Sequence, residues 1–154
     1  MSDVERFSGA LDRILELVVL LNQDMTQSLA ERGLTVSRTT LLWVLRRTGP
    51  SPQRDLAAAL GVTARTVTGL VDGLAAAGLV TREPHPSDRR ATLVTLTAAG
   101  TDLVTTLERE QQELGQQLFG PMPRARFDGL VAGLDDVLAR LHELGLTHRA
   151  EDTP

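Results

Sequence analysis

The chain contains no cysteine. That excludes disulfides, thiolate catalysis, Cys-ligated zinc and thiol redox sensing. Lysine is also absent, so all sixteen basic residues are arginine. The longest unbroken apolar runs, Leu17 to Leu21 among them, are far too short to span a membrane. Met1 to Arg6 is polar and mostly acidic, unlike a secretory leader, so a cytoplasmic location is the default. There is no phosphate loop, no H-E-x-x-H and no nucleophile elbow, and a non-enzymatic protein without a cofactor is expected. His142, Glu143 and His148 lie where a helix runs into a tail, which does not suggest a metal centre.

What is present is one uneven charge distribution. The net charge is −4, yet residues 31–90 hold nine Arg against five acids and the remainder seven Arg against fifteen. A basic middle between acidic ends suits polyanion binding by the middle alone. At 154 residues, 42% of them hydrophobic, the chain can form one domain with a core, or a small domain with an assembly element.

The organising stretch is Ser51 to Thr97. A helix is expected from Ser51, as N-cap, and Pro52, at the first helical position, to about Gly61. Thr63 can cap a second helix through Ala77, which Gly78 ends. Two short helices joined by a tight Gly-containing turn make a helix-turn-helix unit, whose second helix enters a DNA major groove. Two β-like runs follow, Leu79 to Glu83 and Ala91 to Thr97, around the loop PHPSDRR, forming a wing.

In the second helix Val67, Leu70, Val71 and Leu74 recur on the inward face. Arg65, Thr66, Gly69 and Gly73 therefore point outward, with Thr63 and Ala64 at the exposed tip. Two helix-interior glycines on one face, each costing about 1 kcal/mol relative to Ala, fit either close approach of a groove wall or neutral surface variation. In the wing loop, Arg90 at the tip can enter a narrow minor groove. Asp88 is expected to hold a guanidinium in a fixed direction. His85 reads as a solvated loop residue or a phosphate contact.

Outside this stretch, residues 8–30 read as a helix striped by Leu11, Ile14, Leu15, Val18, Leu21, Met25 and Leu29. Leu17, Val19 and Leu20 make it apolar on more than one side, which calls for a partner chain. Gly33 ends it. Thr35 or Ser37 can cap the next helix, which runs to about Arg47 and buries Leu41, Leu42, Val44 and Leu45. Trp43, the one Trp, packs in the core or walls an apolar pocket. Thr97 can cap a long helix to about Leu118. A last helix, from about Pro123 to Leu144, carries the heptad seam Phe127, Leu130, Leu134, Val137, Leu141 and Leu144. Residues 149–154 form a tail.

Leu56-Ala57, Leu60 to Thr63, Thr66 to Thr68 and Leu70 to Asp72, followed by Leu79 to Arg82, Pro86 to Ala91, Val94, Leu96-Thr97 and Gly100, resemble the MarR family of bacterial transcription regulators. The resemblance implies a mainly α fold with a small β-hairpin wing (α+β). Residues 35–97 would form the winged helix-turn-helix DNA-binding domain, and 1–34 with 98–148 a helical dimerisation region. It implies a homodimer on a pseudo-palindromic operator in double-stranded DNA, with repression favoured over activation. The DNA-facing set is then Ser37, Arg38, Arg54, Thr63, Arg65, Thr66, Thr68, Gly69, His85, Asp88, Arg89 and Arg90. Leu11, Ile14, Phe127, Leu130, Leu134 and Leu141 would line the dimer interface. The family's usual effector pocket falls near Met25, Leu29, Trp43, Arg46 and Arg47. With Arg46 and Arg47 as its charges, that pocket suits an aromatic or amphipathic molecule with one anionic group, such as salicylate. The competing reading is a winged-helix protein–protein interaction module without DNA-binding activity. The acidic pI near 5.3 and the sparse outward face of the second helix favour it.

Overall fold

The computed structural model describes residues 2–146; the tail and the last residues of the 98–148 region, His148 among them, lie outside the described residues. The elements are α1 (Asp3–Ala30), α2 (Val36–Thr48), α3 (Gln53–Leu60), α4 (Ala64–Ala76), β1 (Val80–Pro84), β2 (Thr92–Leu96), α5 (Ala98–Phe119) and α6 (Arg124–Glu143). β1 and β2 form a two-stranded antiparallel sheet with Arg82 opposite Val94. This is the mainly α fold with a small hairpin wing that the sequence implied.

Threonine hydroxyls start three of the helices. The Oγ1 atoms of Thr35, Thr63 and Thr97 accept from the backbone N–H groups of Arg38, Thr66 and Gly100 at 3.2, 3.2 and 3.0 Å. Each cap satisfies a donor that the helix itself cannot. α1 begins five residues earlier than the apolar stripe indicated. Ser2 and Glu5 form a reciprocal capping box that carries the helix over the polar stretch.

Ser51 departs from its expected role. It is not an N-cap: its backbone N–H donates to Val94 O and its carbonyl accepts from Val94 N–H, at 3.1 and 2.8 Å. Its hydroxyl donates to Gly49 O at 2.8 Å. Ser51 thus adds a single bridge to the wing sheet, and Pro52 is left as the N-cap of α3, with no side-chain cap bond.

The core comprises Leu34, Leu41, Leu42, Leu45, Leu56, Val67, Val71, Leu74, Val80, Val94 and Val104 with their buried neighbours. It joins α2, α3, α4, the wing and the first half of α5. Gly100 makes that junction tight, because a Cβ there would overlap the Leu79 carbonyl oxygen. α1 buries Leu29 alone, and α6 buries nothing.

Candidate nucleic-acid interface

The exposed part of α4 opens at its capped N-terminus, where the Thr63 and Thr66 hydroxyls lie 3.0 Å apart. Arg65 projects from this turn. Thr68 is more constrained: its Oγ1 donates to Ala64 O and accepts from Gln53 Nε2, both at 3.0 Å. Gln53 Oε1 accepts from Arg82 Nε at 3.1 Å, and Arg82 Nη2 donates to Asp72 Oδ1 at 2.6 Å. A chain of side-chain bonds thereby fixes α3, α4 and β1 to one another. Sequence reasoning gave Gln53, Asp72 and Arg82 no such role. Nothing local signals it, since the bonded partners lie ten to twenty-nine residues apart.

The two α4 glycines occupy different surroundings. Gly69 faces open space. Gly73 lies beneath Arg38 of α2, and a Cβ there would sit 2.6 Å from Arg38 Nη2. The close approach that Gly73 serves is therefore that of a guanidinium from the same chain. Arg38 Nη1 also donates to Gly33 O at 3.4 Å, which fixes its course across α4. Ser37, one residue earlier, is exposed, as is Arg54, whose Nε stands 3.7 Å from Asp55.

In the wing loop the Asp88 carboxylate accepts from the Arg90 backbone N–H at 3.0 Å. It holds no guanidinium, so its contact differs from the one expected. A carboxylate two residues before an amide closes an Asx turn, a shorter route than any side-chain pair. The turn fixes the Arg90 backbone while leaving the Arg89 and Arg90 side chains exposed. His85 Nδ1 accepts from the Ser87 backbone N–H at 3.1 Å, which leaves Nε2 to donate outward.

Of the nine Arg in residues 31–90, four have carboxylate partners: Arg32 with Glu110, Arg46 with Glu108, Arg54 with Asp55 and Arg82 with Asp72. Arg38, Arg47, Arg65, Arg89 and Arg90 have no ion-pair partner among the described residues. Positive charge is thus left uncompensated at α4 and the wing tip, while two of the paired Arg are neutralised by acids of α5.

A second feature lies between α1, α2 and α5. A cavity of about 380 Å³ is lined by Leu21, Asp24, Met25, Ser28, Leu29, Thr39, Trp43, Leu107, Glu110, Gln111 and Leu114. Three of the five residues expected near an effector, Met25, Leu29 and Trp43, line it. Arg46 and Arg47 do not. Helical side chains lean toward the N-terminus, so the wall around Trp43 continues to Thr39, one turn back, rather than to the following turn. Arg46 instead reaches Glu108, at 3.3 Å. The charged lining groups are both acids. Glu110 is held by Arg32 through two bonds of 2.6 and 2.9 Å, which lower its pKa and raise that of Arg32.

Residues 34–92, from the start of α2 through the wing loop, match the MarR family. The transcriptional regulator Mb0904 of Mycobacterium bovis is 30% identical over 109 residues, 71% of this chain and 76% of that relative. The chain belongs to the MarR family. The transcriptional repressor IacR of Pseudomonas putida is 29% identical over 122 residues, 79% of this chain and 73% of IacR. Among solved structures, the S. aureus MepR–DNA complex superposes with a TM-score of 0.71 at 25% identity, covering 86% of this chain and 98% of MepR. The MarR match spans α2, α3, α4 and the wing loop, and leaves out α1, α5 and α6.

Those remaining helices carry most of the exposed apolar surface of this MarR-family chain. On α1, Leu11, Leu15, Val18 and Leu21 are exposed and Ile14 is half-buried. On α6, Leu130, Leu134 and Leu141 are each about 40% exposed. Phe127, half-buried, packs on Phe119 with ring centroids 5.4 Å apart. Among the described residues no helix is long and apolar enough to cross a membrane.

Proposed function

We propose that this chain is a sequence-specific double-stranded DNA-binding transcription regulator, acting as a repressor and working as a homodimer on a pseudo-palindromic operator. The observation that carries this reading is the shared placement of uncompensated arginines. Arg65 on α4 and Arg89 and Arg90 on the wing project from a single unit that the Arg82–Asp72 and Gln53–Thr68 bonds hold rigid. Arginines on the reading helix and in the wing supply phosphate attraction and groove contacts, and α4 supplies base readout. The relation to IacR supports repression. The MepR–DNA complex supports the mode of binding.

Homodimerisation through α1, α5 and α6 is supported by the apolar surface those helices leave open, far more than isolated surface residues present. A two-fold dimer sets two α4 helices at a fixed separation, and DNA affinity depends on that separation matching the groove repeat. The cavity between α1, α2 and α5 lies where the core meets the first helix. A small amphipathic molecule seated there would couple to the separation of the reading helices and release DNA.

Selection of bound duplexes from a random pool, followed by a salt series on the selected and on a scrambled duplex, tests the reading. A steep fall of affinity with salt and a preference for the selected duplex are expected. A flat salt response with no selected sequence would refute DNA binding and favour the protein–protein module instead.

A further inference from the structure

We infer that the cavity between α1, α2 and α5 takes an amphipathic organic cation, not an anion. This rests on the reading of that cavity as a ligand site and assigns the charge of its occupant. Its lining is largely apolar, with Leu21, Met25, Leu29, Leu107 and Leu114 beside the half-buried Trp43. The charged groups of the lining are Asp24 and Glu110. They are not equivalent. Glu110 is already neutralised by Arg32 through two short bonds. Asp24 has no ion-pair partner among the described residues. The lining therefore offers one uncompensated carboxylate and one indole.

A carboxylate ligand would meet Asp24 with no lining cation to offset it, since Arg46 is turned toward Glu108. An ammonium group gains from both features: it pairs with Asp24, and it is attracted to the negative face of the indole. The apolar walls hold the body of the ligand, and a volume of about 380 Å³ admits a single aromatic ring with an alkyl chain.

Three probes of nearly equal size and different charge test this: 4-phenylbutylamine, 4-phenylbutanol and 4-phenylbutyrate. Each is titrated at neutral pH against the emission of Trp43, the one Trp in the chain. The full-length protein and its Asp24→Asn variant are compared, without DNA. Asp24 is exposed at the cavity mouth, so the isosteric change spares folding. The amine should bind roughly tenfold more tightly than the alcohol, and the carboxylate more weakly than either. In Asp24→Asn the amine should lose most of that advantage and keep only the smaller part that the indole supplies. A carboxylate that binds best, or an amine preference undiminished in Asp24→Asn, overturns the assignment. Silence from all three probes overturns the cavity as a ligand site altogether. DNA release is read separately on the selected duplex. An amine that binds without releasing DNA upholds the charge assignment and refutes only the effector role.

Discussion

The Arg38 guanidinium crosses α4 directly over Gly73, in space that any side chain at 73 would occupy. Gly73 thereby sets where a cation of α2 stands beside α4. Gly73→Ala should cost little stability, because the obstructing group is the end of a flexible side chain and Ala gains about 1 kcal/mol of helix propensity. Affinity for the selected duplex should nevertheless fall as far as in Arg38→Ala, and the double variant should fall no further. Gly69→Ala, in space open in the free chain, should stabilise the fold by about 0.5–1 kcal/mol in urea denaturation. Equal DNA affinity for Gly73→Ala and wild type would remove Arg38 from the interface.

The Arg82–Asp72 pair ties the wing to α4. Both partners are partly exposed, at 34% and 62%, so screening keeps the contribution small. A double-mutant cycle with Arg82→Ala and Asp72→Ala should give a coupling of about 0.3–1 kcal/mol in stability. The effect on DNA binding should exceed that, since in the proposed binding mode α4 and the wing engage adjacent grooves together. A wing that binds equally well without the pair would show that DNA, not the clamp, orders it.

Arg90→Ala should weaken binding to the selected duplex by about 1–3 kcal/mol, the scale of one important DNA-contacting side chain. Asp88→Ala should reproduce part of the loss although it removes a negative charge, because the Asx turn that presents Arg90 opens. Tighter binding by Asp88→Ala would mean that simple charge repulsion governs the loop.

The features legible in the sequence were those whose chemistry is local. Thr35, Thr63 and Thr97 each cap an amide three residues on, and Gly78 takes the positive φ that ends α4. Periodicity alone placed Leu41, Leu42, Val67, Val71 and Leu74 in the core. What escaped was set by approach between distant segments. Ser51 looks like a helix cap until Val94 claims both its backbone groups. Gly73 reads as a seat for a groove wall or as neutral surface variation until Arg38 arrives from α2. Arg46 was counted with the cavity until Glu108, sixty-two residues away, drew it off. The Ser2–Glu5 capping box was readable and was masked by the polar composition around it.

The exposed seam of α6 predicts the assembly state. Leu134→Asp with Leu141→Asp places two charges where a partner helix would pack, so the dimer and specific DNA binding should be lost together while the circular dichroism of the winged core persists. α6 contributes no buried residue to that core. A wild-type mass of one chain in sedimentation at micromolar concentration would contradict the homodimer outright.

The Arg32–Glu110 pair gives the fold an acid-sensitive joint between the end of α1 and the middle of α5. The Arg32 guanidinium, bonded to both carboxylate oxygens, holds Glu110 below the usual carboxylate range. A group whose pKa is lower folded than unfolded stabilises the fold fully above its unfolded value, about 4.3 for Glu. That contribution is lost as pH falls through the folded value. Stability should therefore be insensitive to this pair between pH 7 and 5 and should decline below about pH 4.3. Glu110→Gln removes the titrating group, so its unfolding midpoint should lie below wild type at pH 7 and converge on it in acid. The comparison is made by thermal denaturation across the pH series. A constant gap between the two proteins down to pH 2 would show that the carboxylate's charge does not hold this joint.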